Sequence, residues 1–420
     1  MTTPRQRLDV LLVIRSCAEH YPPTVNQANL LAEAGLRIGM VDLTSAGIPE
    51  ALHPAIRRWR VHRMWDSKAE RPYRRGKRWM NWLRFYGACR RAINATEPRV
   101  VIAYDTLGSV FVPPRPSRYR TVYHFHELSG SEPQEGFGPR RARVRAAQAS
   151  RYADLIVCPD ADRARLFQQR ADLGVLPRVV MNCPRTLAVV PPSPLRRRLA
   201  DSGRSYGAVV CYLGSIGVDQ GLPEAARSMS LWPSDAVFVL IGAAAESMRK
   251  RILEAAAAAG AADRVIFLGA HPHGEALALA AGADIGLALI QPNNDSWLYS
   301  AGAINKRFEY MSLGLPQITN TGPGVAAIIE AQPCGVCVDS RDPDAIGAAV
   351  RLLLGDDAHR RRLSSAARAQ HLHRFNYESQ FASVRDWIVA TARAGDVVRP
   401  DVRGHANIGS GPFPLGASCV

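Results

Sequence analysis

The chain has 420 residues, 47% of them hydrophobic, which is enough for two globular α/β domains and excludes a small disulfide-stabilised fold. Its formal net charge of +16 and isoelectric point near 9.9 favour anionic partners. No stretch reaches the roughly 18 apolar residues of a membrane-spanning helix and the first residues lack a secretory apolar region, so we expect a cytoplasmic protein.

The first half of the chain has the pattern of a parallel α/β domain, which we place at residues 1–190. The apolar run at residues 8–14 predicts a buried strand, and a loop, a helix ended by Gly35 and a second strand follow it. Two later apolar segments predict strands that end at Asp105 and at His126. Ligands of open parallel sheets bind at the carboxyl ends of the strands, so His126 is a candidate site residue, although a lone histidine is more often structural.

Residues 57–91 contain thirteen Lys or Arg against two acidic residues, together with four of the seven tryptophans. This mixture suits an anionic bilayer surface, where each Lys or Arg contributes about 1 kcal/mol and aromatic rings lie at headgroup depth. It would also suit nucleic acid, because rings stack on bases, and a solvated basic loop is the plainest alternative. We interpret the segment as a surface that faces an anionic membrane and expect no nucleic-acid partner.

The second half repeats the α/β pattern after a proline-rich, charged break. Strand and helix patterns alternate from residue 206 onward, which predicts a second parallel sheet and a cleft between the two domains. The predicted units are a linker at 191–205, a second domain at 206–375, a final helix at 376–394 and a disordered tail at 395–420.

Cysteine and histidine spacings give little support for a metal. The eight cysteines are scattered, which indicates reduced thiols. The one CxxC pair, Cys334 and Cys337, is better explained by a buried strand than by zinc. His271 and His273 have only Glu275 nearby as a further ligand, so we expect no metal site.

The segment 300–330 combines a short helix, a strand and the start of a second helix. Apolar residues at i, i+4 and i+7 predict the first helix at about 305–313, and Gly314 predicts its end. Lys306 and Glu309 lie one turn apart on another face of this helix, where they could be an ordinary solvated pair.

The turn that follows favours binding. Gly322 and Gly324 open the next helix, and such glycine-rich helix starts present free backbone N–H groups to anions. A cation, a carboxylate and a set of amide donors therefore border one corner of the second domain.

The sequence NKRFEYMSLGLPQI at 305–318 resembles the corresponding helix of family 4 retaining glycosyltransferases, which have the GT-B fold. The resemblance implies an α/β protein with two Rossmann-like domains, a cleft between them and a C-terminal helix that crosses back to the first domain. It implies that Glu309 holds the ribose of a sugar nucleotide, that Lys306 faces the diphosphate and that His126 lies near the transferred sugar. The implied donor-binding residues are Gly214, Ser215, Gln220, Gly242, His271, Ala301, Asn305, Lys306, Glu309, Gly322 and Gly324.

Three positions depart from the family pattern. Ser215 and Gln220 stand where family members often have arginine and lysine, and Ala301 stands where the first of two glutamates is usual. Backbone N–H groups and Lys306 would then hold the diphosphate. Recognition of the sugar hydroxyls would fall to Asp295, Ser300 or nearby backbone amides.

The implied activity is hexosyltransferase-like transfer of a sugar from a nucleotide diphosphate donor to a hydroxyl with retention, with no cofactor and no obligatory metal. The basic aromatic segment suggests a glycan or polyprenyl-linked acceptor, as in polysaccharide or glycolipid assembly, and a peripheral position at the inner membrane face. Two alternatives stay open: a catalytically silent protein of this fold that binds membrane or nucleic acid, and a nucleotide-sugar epimerase.

Overall fold

The computed structural model describes residues 7–44, 51–62, 74–115, 118–128, 137–201 and 206–394, with the backbone alone at 74–79 and 137–139. The predicted disordered tail at 395–420 lies outside these residues.

The first domain is a parallel sheet between two helical layers. Its strands are β1 Val10–Val13, β2 Ile38–Leu43, β3 Arg57–Val61, β4 Val100–Tyr104, β5 Arg120–His124, β6 Leu155–Cys158 and β7 Arg178–Val179. Its helices are α1 Pro22–Glu33, α2 Arg74–Thr96, α3 Asp105–Phe111, α4 Phe137–Ser150 and α5 Ala161–Ala171. Within the described residues the strand order is β3-β2-β1-β4-β5-β6-β7, and β1 and β4 are buried on both faces, as expected for a covered parallel sheet.

The second domain repeats this architecture. Its strands are β8 Ala208–Leu213, β9 Ala236–Ile241, β10 Val265–Gly269, β11 Ile285–Ala288, β12 Gln317–Asn320 and β13 Gly335–Val338. Its helices are α6 Leu195–Asp201, α7 Leu222–Arg227, α8 Glu246–Ala258, α9 His273–Ala280, α10 Asp295–Leu298, α11 Asn305–Leu313, α12 Val325–Ile329, α13 Pro343–Gly355 and α14 Asp357–His373. The parallel order β10-β9-β8-β11-β12-β13 holds for the part of the chain that the structure describes.

The last helix, α15 (Tyr377–Arg393), packs on the first domain. Phe381, Val384 and Ile388 are buried in the same core cluster as β1, β4 and α1. The predicted crossing of the C-terminal helix back to the first domain is therefore confirmed.

The described parts of the segment 57–91, which was predicted only as a basic aromatic surface, are residues 57–62 and 74–91, and they contain β3 and most of α2. Phe85 is fully buried. Trp82 lies 5.9 Å from Tyr86 and 4.7 Å from Phe111 between ring centroids. Phe85 thus belongs to the core of the first domain, and the partly buried rings of Trp82 and Tyr86 pack against that core, because contact with Phe111 removes apolar area from water. The side chains of Trp65, Tyr73 and Trp79 lie outside the described residues.

Part of the segment predicted as a linker also belongs to a domain. Leu195 and Leu199 of α6 are one turn apart and both are buried in the second core, beside β8 and α9. Two leucines at this spacing give the short helix an apolar face that holds it on the second domain.

The order of each sheet reverses once, and the reversal positions the site. In the first domain it lies between β1 and β4, and in the second between β8 and β11. At such a point the connections leave to opposite faces and open a crevice at the carboxyl ends of the strands.

Candidate active site

Each of the loops after β8 and β9 needs a glycine, at Gly242 because the two loops approach closely and at Gly214 because of its positive φ. Gly242 has φ +155°, and a Cβ there would lie 1.8 Å from the Gly214 carbonyl oxygen. Gly214 has φ +121°, and its Cβ would lie 3.5 Å from Cε of Lys306. The stem of Lys306 therefore lies directly over the turn at the carboxyl end of β8.

The ammonium group of Lys306 is held by a small polar network. It donates to Oε1 of Gln220 over 2.8 Å and to the hydroxyl of Tyr212 over 3.1 Å. The Tyr212 hydroxyl in turn donates to the carbonyl of Ser215 over 2.6 Å. Burial lowers the pKa of Lys306 to about 7. Gln220, one of the departures from the family pattern, thus orients the one lysine of this corner.

Glu309 lies one turn further along α11 and is 7% exposed. Its Oε1 lies 3.6 Å from Nε2 of His273, the first residue of α9, whose ring is half exposed. The ring of His271 points elsewhere, with Nε2 3.1 Å from the Leu268 carbonyl oxygen. The carboxylate therefore reaches the surface beside His273.

The turn that opens α12 packs on the residue that replaces the first family glutamate. Gly324 has φ +71°, and a Cβ there would lie 3.3 Å from Cβ of the buried Ala301. Gly322 lies beside Asn320, whose Nδ2 would be 3.4 Å from an added Cβ. Asn305 begins α11. These four predicted site residues lie around the entry to α11 and α12.

A buried arginine on α11 stabilises this corner through hydrogen bonds, a role that was not predicted from the sequence. Arg307 is fully buried and donates through Nη1 to the Ser300 carbonyl over 2.8 Å. It also donates to Oγ1 of Thr319 over 3.0 Å and to Oδ1 of Asn320 over 2.6 Å. Burial lowers its pKa to about 10. Ser300 itself is fully buried, so its hydroxyl is not accessible to a sugar.

His126 follows β5, next to the reversal point of the first domain, and is surrounded by aromatic rings. Its ring is stacked on Tyr104 and on Tyr21, with centroids 5.4 and 5.5 Å apart. Its Nε2 lies 2.9 Å from Oγ1 of Thr24, and burial lowers its pKa to about 4, so the ring is neutral at pH 7. Asp105, with φ +56°, accepts the backbone N–H of His126 over 2.8 Å.

The predicted residues therefore fall into two groups. The donor corner of the second domain unites those around Lys306, namely Gly214, Ser215, Gln220, Gly242 and Glu309. His126 belongs to the first domain and meets the second through Arg163, whose Nη1 donates to the His126 carbonyl over 2.6 Å and whose Nε donates to the Tyr299 carbonyl over 2.6 Å.

The described side chains and helices were also compared with the requirements of a metal site and of a membrane-spanning helix, and they meet neither. In the described ranges no three His, Cys, Asp or Glu side chains come together as metal ligands. None of the helices within those ranges combines the length and apolar character needed to span a bilayer. Cys337 is the third residue of β13, and Cys334 directly precedes the strand.

Comparison with solved structures shows the fold. The two parallel-sheet, Rossmann-like domains match GT-B glycosyltransferase structures, so the predicted fold is confirmed. Sucrose-phosphate synthase from Thermosynechococcus elongatus matches with 18% identity and a TM-score of 0.72, over 93% of this chain and 100% of that chain. Anabaena HepE in complex with UDP and glucose matches with 14% identity and a TM-score of 0.69, over 91% and 100%. WaaG, a glycosyltransferase involved in lipopolysaccharide biosynthesis, matches with 15% identity and a TM-score of 0.64, over 90% and 99%.

A family resemblance is found in the second half of the chain. Residues 204–370 match the family described as "Glycosyl transferases group 1". No match was found among curated proteins. The matched residues include the whole donor corner.

Proposed function

We propose that this protein is a family 4 retaining glycosyltransferase, which moves a sugar from a nucleotide diphosphate to a hydroxyl of a lipid-linked or cell-surface glycan. The observation that carries the proposal is the placement of Lys306 and Glu309, one turn apart on α11, beside the turn after β8 at the reversal of the sheet order. The structures of HepE with UDP and with UDP-glucose support a nucleotide-sugar donor.

In this proposal the donor corner stabilises the leaving group. Negative charge grows on the diphosphate as the glycosidic bond breaks, and preorganised donors lower the energy of that state. Lys306 supplies the cation, and the backbone N–H groups at Ser215 and at the start of α12 supply hydrogen bonds. The N–H of Gly214 is not available for this, because it already donates to the Ile241 carbonyl over 2.9 Å. Glu309 accepts from the ribose hydroxyls and fixes the nucleotide.

Retention would proceed by front-face transfer, without a protein nucleophile. Double displacement needs a carboxylate free to attack the anomeric carbon. Asp105, the carboxylate at the reversal point, accepts the backbone N–H groups of both His126 and Glu127, so it is engaged in holding that loop. His126, neutral at pH 7, would position the sugar or the acceptor hydroxyl.

The test is incubation with UDP-, GDP- and dTDP-sugars and a panel of lipid-linked acceptors, with proton NMR of the product. An α-linked product from an α-linked donor supports retention, and a β-linked product contradicts it. Nucleotide binding without transfer or hydrolysis would favour the catalytically silent alternative. Isomerisation of the donor without acceptor would favour an epimerase.

We expect His273→Ala to weaken nucleotide binding about two- to fivefold. The half-exposed ring lies 3.6 Å from the Glu309 carboxylate, and exposed pairs of this kind contribute up to about 1 kcal/mol. Isothermal titration with the responding nucleotide measures the effect. His373→Ala is the matched control, because this exposed histidine at the end of α14 is not among the predicted donor-binding residues. Equal losses in the two variants would remove His273 from the donor site.

We further propose that the outer face of α2 docks on an anionic lipid surface. Met80, Leu83 and Arg84 are exposed at helical spacing, and Arg90 and Arg91 continue the exposed stripe two turns later. On the opposite face of the helix, Phe85, Cys89 and Ala92 are buried. A stripe of apolar and cationic side chains on a helix firmly held by its other face suits shallow insertion among charged headgroups.

Substitution of Arg84, Arg90 and Arg91 by glutamine should reduce binding to anionic vesicles at least tenfold. Each of the three charges contributes about 1 kcal/mol near such a surface, less at high salt. Sedimentation with phosphatidylglycerol vesicles measures it. The control replaces the exposed Arg351, Arg361 and Arg362 of the second domain, which changes the net charge equally. Equal loss in both triples, or equal wild-type binding to neutral vesicles, would contradict docking through α2.

A further inference from the structure

The two domains meet at one deeply buried guanidinium group. Arg163 of α5 is 4% exposed, and its Nη1 donates to the His126 carbonyl over 2.6 Å within the first domain. Its Nε donates to the Tyr299 carbonyl over 2.6 Å, and its Nη2 donates to the Ser296 carbonyl, both in the second domain. One planar group thus fixes three carbonyl oxygens, two of them on the segment that leads into α11.

The start of α5 holds the same segment in a second way. Asp160 caps the helix by accepting the backbone N–H of Asp162 over 2.8 Å, and its other oxygen accepts the backbone N–H of Gly302 over 2.9 Å. Gly302 lies so close to the first domain that a Cβ there would be 2.2 Å from the Pro159 carbonyl oxygen. The segment 296–302 is therefore clamped to α5 at both of its ends.

The residue type at position 163 matters for this arrangement. A guanidinium group presents donors in a rigid fork, so it can serve three acceptors on two domains at fixed angles. Lysine has the charge but not the fork. Burial lowers the pKa of Arg163, and the charges of Asp160, Glu127 and Asp105 oppose that shift.

We propose that Arg163 is a positioning residue for sugar transfer, which keeps the His126 backbone of the first domain in register with the segment 296–302 of the second. This proposal rests on the proposed function. The donor is held by the second domain through α11, whereas the transferred sugar meets the first domain at His126. A fixed relation between these two parts is needed because displacement of a reacting group by about 1 Å costs about a hundredfold in rate.

A second arginine of α5 provides a matched control for this proposal. Arg170 lies on the same helix and pairs across the cleft with Asp295, one residue before the clamped segment. Both side chains of this pair are substantially exposed, with 44% of Arg170 and 36% of Asp295 accessible. Arg170→Gln therefore removes an interdomain ion pair of α5 without touching His126.

The experiment compares Arg163→Gln, Arg163→Lys and Arg170→Gln with the wild-type protein in donor hydrolysis by water, which requires no identified acceptor. We expect Arg163→Gln to lower kcat about a hundredfold while the dissociation constant for the nucleotide changes less than about threefold. Arg163→Lys should be intermediate, and Arg170→Gln should change either value less than about twofold. Parallel losses of nucleotide binding and kcat in Arg163→Gln, or equal effects of the two glutamine variants, would overturn the proposal.

A second readout is independent of activity. In protein labelled with ¹³C-histidine, the His126 ring resonance, assigned by its absence in His126→Gln, should move in both Arg163 variants but not in Arg170→Gln. An unmoved resonance in a folded Arg163 variant would overturn the proposal. If the wild-type protein binds no nucleotide but the resonance moves as expected, the proposed function fails while the contact stands.

Discussion

Replacement of Glu309 by alanine should weaken nucleotide binding about a hundredfold. The carboxylate is 7% exposed and is held on α11, one turn from Lys306, so little motion is lost when a ribose binds to it. A hydrogen bond to a charged group contributes about 1.5–3 kcal/mol, and two ribose hydroxyls can donate to one carboxylate. In the variant, water compensates for part of the lost hydrogen-bond energy. A remaining loss of about 2.8 kcal/mol corresponds to a hundredfold change in affinity. Isothermal titration with the responding nucleotide measures it.

The matched control for Glu309 is Glu275→Ala. Glu275 lies on α9 beside the donor corner, but its side chain is 63% exposed and faces His271. We expect no more than a twofold change in affinity there. Glu309→Gln should bind with intermediate affinity, because an amide oxygen still accepts one hydrogen bond. An unchanged dissociation constant in Glu309→Ala would remove the central residue from the donor site.

Lys306→Met should lower the rate of sugar transfer about a hundredfold or more. The ammonium group lies over the turn after β8, where the diphosphate would carry the charge of the leaving group, and loss of one such donor costs about 10²–10³ in rate. Steady-state kinetics of donor hydrolysis measures it. Lys250→Met is the control, because Lys250 is an exposed residue of α8 paired with Glu254. A Lys306 variant with wild-type kcat would contradict the proposed role.

The lowered pKa of Lys306 gives this prediction a pH signature. In the free protein the ammonium group titrates near pH 7, so nucleotide affinity should fall as the pH rises from 6 to 9 in the wild type. The fall should be smaller in Lys306→Met.

The buried ammonium group of Lys306 should also lower the stability of the free protein at low pH. The folded-state pKa is about 7 against an ordinary 10.5, so burial of the cation destabilises the fold fully below pH 7, and the cost fades toward pH 10.5. Lys306→Met should therefore raise the thermal unfolding midpoint more at pH 6 than at pH 9. An equal increase at the two pH values would show that Lys306 keeps an ordinary pKa in the folded protein.

Much of the second domain could be predicted from the sequence because its signals are local. Apolar spacing and Gly314 predicted α11 at about 305–313, where the helix is found at Asn305–Leu313, and Gly314 has the left-handed φ of +62° expected for a helix end. The strand predicted to follow this helix is found at Gln317–Asn320. Turn residues and apolar periodicity depend only on neighbours in the chain, so they can be interpreted without the fold.

The residues that join distant parts of the chain could not be predicted in this way. Arg163 is 136 positions from the carbonyl of Tyr299 that it binds, and nothing around it distinguishes it from the other arginines of α5. His273 was considered only as a weak metal ligand, because its contact with Glu309 depends on how α9 packs beside α11. Trp82 was interpreted as a surface residue, yet its contact with Phe111 places it against the core.

The proposed function requires that the corner formed by Lys306, Glu309 and the turn after β8 binds a nucleotide diphosphate. The most direct test is thermal unfolding of the wild-type protein with UDP, GDP and dTDP, each against its nucleoside alone. We predict that one of the diphosphates raises the unfolding midpoint and that its nucleoside does so much less, because Lys306 and the backbone donors act on the phosphates. No shift with any of the three nucleotides would contradict the account.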